Sequence, residues 1–119
     1  MRTKVRLSSF HFRRNTVRRF TPRSFDWDPA QAASNAAKHG VTFEVAMTVF
    51  RDPLAKSILD RDSAPREERW VTLGATTSGN LLVVVHTWND IDADRAAVRI
   101  ISARRPTARE ARQYREDPL

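Results

Sequence analysis

The chain has 119 residues, with 21 lysines and arginines against 14 aspartates and glutamates, and its formal net charge is +7. This length is the commonest size of a single domain. The sequence contains no cysteine, which excludes disulfide frameworks, thiolate zinc sites and cysteine nucleophiles. Because no apolar run approaches the length of a membrane span, we expect one small basic domain that does not bind a membrane.

The positive charge is concentrated at the amino terminus. Residues 1–24 contain eight basic side chains and no acidic one, whereas residues 25–119 contain 13 basic and 14 acidic side chains. We interpret residues 1–24 as a basic arm, expected to be flexible, and residues 25–119 as the folded domain. The composition leaves three roles open for the arm: an extension without a function, a segment that contacts phosphates, or a targeting peptide.

Capping signals predict two short helices after the arm. An aspartate followed by a proline at residues 28–29 is typical of a helix start, and Gly40 is typical of a helix end, so residues 29–39 are predicted to be helical. Thr42 can cap a second helix, in which apolar residues recur at positions i, i+3, i+4 and i+7. This second helix is predicted to end at the proline of residue 53.

Four strands and a final helix are predicted next. Apolar and β-branched runs bounded by turn residues indicate strands over residues 55–60, 69–75, 81–86 and 96–103. The third strand has five apolar residues in succession and is predicted to be central, with a turn at 77–80 before it and a polar loop at 89–94 after it. Thr107 and Glu110 form a capping box that starts a helix over Ala108–Arg115. We therefore predict an α+β fold of order α-α-β-β-β-β-α, with a four-stranded, mainly antiparallel sheet.

The sequence lacks the motifs of metal, nucleotide and covalent chemistry. The aspartates of residues 90–94 have the spacing of a calcium-binding loop, but Arg95 and Ile101 stand where such a loop needs glycine and glutamate. His39 and His86 have no third ligand at a metal-site spacing, and His86 is expected to be a satisfied strand-end histidine. There is no nucleophile elbow and no phosphate-binding glycine loop. We expect no metal ion and no cofactor.

The remaining polar side chains suit the cleavage of RNA without a metal ion. Attack by a ribose 2′-hydroxyl group on its own phosphate needs a base, an acid and fixed cations around the phosphorane, and arginine binds phosphate bidentately. The candidates stand at the ends of predicted elements: Lys38, His39, Glu68, Arg69, Arg104 and Arg105. Each pair also has a structural interpretation. The first two can be partners of a helix dipole, the next two a surface ion pair, and the two adjacent arginines a solvated strand edge.

A series of motifs occurs in order between residues 25 and 116. They are Phe25-Asp-Trp-Asp-Pro, Asn35-x-x-Lys38-His39-Gly40-Val41-x-Phe43-Glu44, Asp52-Pro53, Glu67-Glu68-Arg69-Trp70, Leu82-Val83-Val84-Val85 and Arg99-Ile100-Ile101-Ser102-Ala103-Arg104-Arg105. Together these motifs resemble the BrnT toxins of bacterial type II toxin–antitoxin systems. The resemblance implies a RelE-like fold and a cytoplasmic ribonuclease that inhibits translation and growth.

The resemblance also implies roles for the candidate residues. Arg104 and Arg105 are expected to hold the scissile phosphate, Arg69 to stabilise the transition state, and Glu68 or His39 to act as the base. Lys38 belongs to the same RNA-contacting set.

Partners follow from the resemblance as well. A BrnA-like ribbon-helix-helix antitoxin is expected to neutralise the toxin, and operator DNA is expected to be bound only through that complex. Three features depart from the family pattern: the arm of residues 1–24, the acidic loop of residues 88–94, and Pro106. The alternative hypothesis is a non-catalytic module that binds a partner protein or operator DNA, with the arm supplying phosphate contacts.

Overall fold

A computed structural model describes residues 24–60 and 68–116 of the chain. The strands in these residues are β1 (Ser24–Asp26), β2 (Lys56–Asp60), β3 (Arg69–Ala75), β4 (Leu81–His86), β5 (Asn89–Asp90) and β6 (Ala96–Arg104). The helices are α1 (Pro29–His39), α2 (Phe43–Ala46) and α3 (Ala108–Arg115). A 3-10 segment, Met47–Arg51, follows α2 directly.

The strands form one mixed sheet. Their order is β1-β6-β4-β3-β2, and β5 also pairs with β6. β1 runs parallel to β6, whereas the other pairs of strands are antiparallel. The predicted α+β class is confirmed, but the prediction of four strands is wrong, because the described residues contain six.

The two additional strands, β1 and β5, are too short to be recognised from sequence. β1 has three residues and β5 has two, so neither can show an alternating pattern. Each is a strand because it pairs with β6, where Ala97 lies opposite both Ser24 and Asn89. The order of elements also differs from the prediction, since a strand precedes α1. Ser24, which we assigned to the basic arm, begins this strand, and residues 1–23 lie outside the described residues.

The caps of α1 and α3 lie at the predicted residues. Asp28 Oδ1 accepts a hydrogen bond from the backbone N–H of Ala30 at 2.9 Å, and Gly40 ends α1 with a φ of 69°. Thr107 and Glu110 exchange both hydrogen bonds of a capping box at the start of α3. Local capping chemistry therefore determines both ends of α1 and the start of α3.

The second helix is shorter than predicted. Thr42 caps it by accepting from the N–H of Val45 at 3.2 Å, but α2 ends after four residues and continues as the 3-10 segment. Thr48 donates its hydroxyl to the carbonyl of Val45 at 2.7 Å, and such local bonds compete with the α-helical pattern. Thr48 and Val49 are also β-branched, which weakens a helix. The segment ends before Pro53, as predicted.

Different helices cover the two faces of the sheet. On one face, which we call the α1 face, α2 and the 3-10 segment help to bury a core that includes Phe43 and Val84. On the opposite face, the α3 face, Tyr114 of α3 packs on a core that includes Leu73 and Val83. Alternate residues of β4 belong to the two cores, so the prediction of a central strand buried on both faces is confirmed.

Asn35 joins α1 to the edge of β6. Its Nδ2 donates to the carbonyls of Ala103 at 2.9 Å and Val41 at 3.1 Å, and its Oδ1 accepts from the N–H of Ala103 at 3.0 Å. The residue is only 7% exposed. The amide thus bonds both main-chain groups of one β6 residue, as a neighbouring strand would.

His86 is a buried part of the α1-face core. Its ring centroid lies 4.7 Å from that of Phe50. Nδ1 donates to the carbonyl of Thr87 at 2.9 Å, so the neutral ring accepts at Nε2 from the hydroxyl of Thr72 at 2.7 Å. That hydroxyl in turn lies 2.8 Å from the hydroxyl of Ser57. Burial lowers the pKa of His86 from 6.5 to about 4, against a smaller opposing effect of the bond to Thr87.

Replacing Asn35 by alanine is expected to lower the free energy of unfolding by about 3 kcal/mol, because two buried main-chain groups of Ala103 lose their partner. Urea denaturation followed by circular dichroism measures the change. Gln31→Ala, at an exposed position of α1, is the matched control and should stay within about 0.5 kcal/mol of the parent chain. Equal midpoints for the two variants would contradict the role of Asn35.

His86 is expected to make stability fall in acid. The unfolded chain takes up a proton at His86 near its ordinary pKa of 6.5, whereas the folded chain does so only at about 4. The free energy of unfolding should therefore decrease as pH falls from about 6.5 to about 4, by about 2 kcal/mol at pH 5. Denaturation at pH 7.5 and pH 5 tests this, and His86→Gln should have the flatter pH dependence. Equal dependence in both proteins would contradict it.

Candidate active site

The end of β6 borders an open cleft of about 630 Å³. The cleft lies between the start of α2, the turn that joins β3 to β4, and the residues after β6. Thr42, Ser78 and Asn80 line it together with Arg105, and Arg105 is exposed. We call this depression the Arg105 cleft. It combines hydroxyl and amide groups with one cation.

Lys38 and His39 lie at the same end of the sheet. They follow Asn35 by three and four positions, so the three residues share one face of α1. Asn35 is bonded to Ala103, two residues before Arg105, and the glycine after His39 lines the cleft. Both side chains are exposed. The end of α1 that carries Lys38 and His39 therefore lies at the end of the sheet that borders the Arg105 cleft.

Arg104 is held by a buried carboxylate. Its Nη1 and Nη2 donate to the two carboxylate oxygens of Glu110 at 2.9 Å each, and Nη1 also donates to the carbonyl of Arg105 at 3.0 Å. The Glu110 side chain is 0% exposed and that of Arg104 is 17% exposed. A buried carboxylate without a cation is strongly destabilising, so this guanidinium group neutralises Glu110. Of the two adjacent arginines, Arg105 is the exposed one.

The first turn of α3 has two of its backbone donors occupied. The N–H of Thr107 donates to Glu110, and the N–H of Glu110 donates to the hydroxyl of Thr107. An anion at this helix end would therefore meet the backbone N–H groups of Ala108 and Arg109.

Glu68 and Arg69 lie at the opposite end of the sheet. Glu68 is exposed and precedes β3, and Arg69 begins that strand opposite Asp60 of β2. Arg69 is two residues before Val71 on β3, so both side chains lie on the α3 face of the sheet. Its Nε atom is buried and has no hydrogen-bond partner among the described residues. Such an atom is costly to leave unpaired.

The six candidates thus fall into two groups. Arg104 lies opposite Val83, which lies opposite Leu73, and Leu73 is four residues along β3 from Arg69. With about 3.3 Å per residue and about 4.8 Å per strand, the α-carbons of Arg69 and Arg104 are separated by roughly 16 Å. Lys38, His39, Arg104 and Arg105 belong to elements that end on the side of the sheet bordering the Arg105 cleft, and Glu68 and Arg69 lie at the opposite end.

Several residues that shape this region were not among the predicted site residues. Asn35 was noted only as part of a motif, Glu110 only as a helix cap, and Asn80 only as a turn residue. The position of Asn80 in a turn between two predicted strands is a signal that could have predicted it, because loops at strand ends often contribute to binding sites. No sequence signal pairs Glu110 with Arg104, since both are typical surface residues.

The described residues contain neither a metal-binding cluster nor a membrane-spanning helix. In residues 24–60 and 68–116, no group of three histidine, cysteine, aspartate or glutamate side chains is arranged to hold a metal ion. In the same residues, no helix has the length and apolar character needed to cross a bilayer.

Comparisons with known proteins bear on the family. No curated protein matches the chain. Among solved structures, the 1.1 Å crystal structure of the Brucella abortus ribonuclease toxin BrnT is 19% identical, with a TM-score of 0.44, and the match covers 71% of this chain and 99% of that one. The family model described as ribonuclease toxin, BrnT, of type II toxin-antitoxin system matches residues 27–110. Since that match spans more than half of the chain, the resemblance is confirmed, and the chain belongs to the BrnT family of ribonuclease toxins of type II toxin–antitoxin systems.

Proposed function

We propose that this BrnT-family chain is an endoribonuclease that cuts RNA without a metal ion. The ribose 2′-oxygen attacks the adjacent phosphorus, and the bond to the 5′-oxygen of the next nucleotide breaks. The products are a 2′,3′-cyclic phosphate and a 5′-hydroxyl group. One proton leaves the 2′-hydroxyl group and one reaches the leaving oxygen, so the step needs no co-reactant. In the cytoplasm, this cleavage inhibits translation and growth.

The observation that supports the proposal most directly is that the end of α1, which carries Lys38 and His39, lies at the same end of the sheet as the exposed Arg105. Arg105 is exposed there and can bind a phosphate with its planar fork of donors. His39 serves as the base for the 2′-hydroxyl group, since imidazole is the commonest general base in enzymes. The ammonium group of Lys38 stabilises the phosphorane and supplies the proton for the leaving oxygen.

The other three predicted residues have supporting roles in this proposal. Arg104 keeps Arg105 in place, because its guanidinium group bonds both Glu110 and the carbonyl of Arg105. Glu68 and Arg69 contact the RNA strand away from the scissile phosphate, and Arg69 binds a different phosphate, because they are too far from the cleft to share one.

An antitoxin partner is expected for a type II toxin. In the proposed system this partner is a BrnA-like ribbon-helix-helix protein, which neutralises the nuclease. Operator DNA is then bound through the toxin–antitoxin complex.

Purified protein is expected to cut single-stranded RNA equally well with and without EDTA, because arginine and lysine supply the positive charge at the phosphate. Gel analysis of an end-labelled oligonucleotide measures the cleavage. The same oligonucleotide with a 2′-deoxyribose at the cut position should stay intact, since it lacks the attacking group. Cleavage that EDTA abolishes would overturn the metal-free mechanism. Intact RNA in both conditions would favour the non-catalytic binding module.

Variants at the two ends of the sheet are expected to differ in their kinetics. Replacing His39 or Arg105 by alanine should lower kcat about 10²-fold to 10³-fold, because each acts in the transition state. Arg69→Ala should mainly raise KM, since it removes a contact to a distant phosphate. Arg95→Ala is the control, because Arg95 pairs with Asp92 in an exposed turn. An unchanged kcat for both His39→Ala and Arg105→Ala would remove the active site from this cleft.

A further inference from the structure

The outward side of α3 bears a row of three arginines. Arg109, Arg112 and Arg115 are spaced by three residues and are all exposed. Residues three apart on a helix are neighbours on its surface, with a rise of about 4.5 Å between them. We call this row the α3 arginine stripe. It lies on the side of α3 opposite to Glu110 and Tyr114, which face the sheet.

The charges of this stripe are not neutralised among the described residues. Arg95 pairs with Asp92, Arg99 with Asp26, and Arg104 with Glu110. No such pair is formed within residues 24–60 and 68–116 by the three stripe arginines. The carboxylate inside α3, that of Glu110, is buried and committed to Arg104. Glu116, which follows the helix, is exposed and forms no ion pair with the stripe among the described residues. The stripe therefore presents to solvent three cations that form no ion pair among the described residues.

The surroundings of the stripe favour a polyanion over a folded protein as its ligand. The exposed large apolar side chains of the described residues are Val45, Leu54 and Ile91, and none of them lies on α3. Protein interfaces have a core that is apolar and depleted in charge, whereas binding to a phosphate backbone is mainly electrostatic. The outward side of α3 consists of arginines without apolar neighbours, so it resembles a surface that binds a phosphate backbone.

The stripe begins close to Arg105 along the chain. Arg109 follows Arg105 by four residues, and the intervening capping box fixes the start of α3 against β6 through Glu110 and Arg104. We propose that the α3 arginine stripe is a binding track for the sugar-phosphate backbone of RNA and that it leads the strand to this cleft. The inference rests on the proposed function in that RNA is taken as the substrate.

The test measures binding of an RNA oligonucleotide that cannot be cut. A fluorescent strand with 2′-O-methyl riboses is titrated with the full chain at several KCl concentrations, and its anisotropy is recorded. The triple variant R109Q/R112Q/R115Q should bind at least tenfold more weakly at low salt. Its slope of log K against log salt should be smaller by about 2, since each lost contact to a single strand contributes about 0.7.

Two control proteins separate the stripe from general charge and from misfolding. R51Q/R95Q/R99Q loses the same three charges at exposed positions outside the stripe, and it should bind nearly as well as the parent chain. R109K/R112K/R115K keeps the charges and should retain most of the affinity. This second result excludes a merely structural role, because glutamine and lysine have similar helix propensities.

Three results would overturn the inference. The first is an equal loss of affinity in both glutamine triple variants, and the second is unchanged RNA binding by the stripe variant. The third is unchanged RNA binding with loss of antitoxin binding, which would make the stripe a protein interface. Failure of the proposed function is a separate outcome, because it appears as intact, unmodified RNA after incubation with the parent chain. Stripe-dependent binding would then still support the track.

Discussion

The arrangement of this domain depends on the side-chain amide of Asn35, which takes the place of a neighbouring strand at the edge of β6. β1 pairs with β6 only from Ala97 to Arg99. Farther along β6, Asn35 bonds the N–H and the carbonyl of Ala103. These two buried main-chain groups would otherwise lack hydrogen-bond partners. The same amide donates to Val41. One side chain thereby fixes the end of α1 relative to the end of β6, and these two ends form the candidate active site.

The ion pair of Arg104 and Glu110 is a second contact that sets the geometry of this region. It gives Arg104 a structural role and leaves the arginines after it exposed. Breaking a buried ion pair by removing one partner costs about 3–5 kcal/mol, although the intact pair often adds little net stability. The pair is therefore best understood as a determinant of geometry. It positions the start of α3 and the backbone of Arg105, and it uses the guanidinium group of Arg104 to do so. The exposed arginines after it remain available for phosphate.

Local signals made most of the fold predictable from sequence, while non-local pairing did not. The caps at Asp28 and Thr107 are short-range patterns, and they predicted the bounds of α1 and α3. β1 and β5 exist because β6 passes beside them, and a strand of two or three residues has no period of its own. For the same reason, the sequence does not predict that the candidate site residues fall into two groups. Arg69 and Arg104 look equivalent in the sequence, and only the register of three strands separates them by four residues along the sheet.

The two histidines of the described residues differ in burial, because one lies in the core and the other at the surface. His86 has both ring nitrogens engaged and is 2% exposed, and burial holds its pKa at about 4. It is therefore neutral at physiological pH and out of reach of a substrate. His39 is exposed at the end of α1, at the end of the sheet where Arg105 also lies. If imidazole is the base of the reaction, the packing of the core leaves His39 as the one among these two residues that can meet a ribose hydroxyl group.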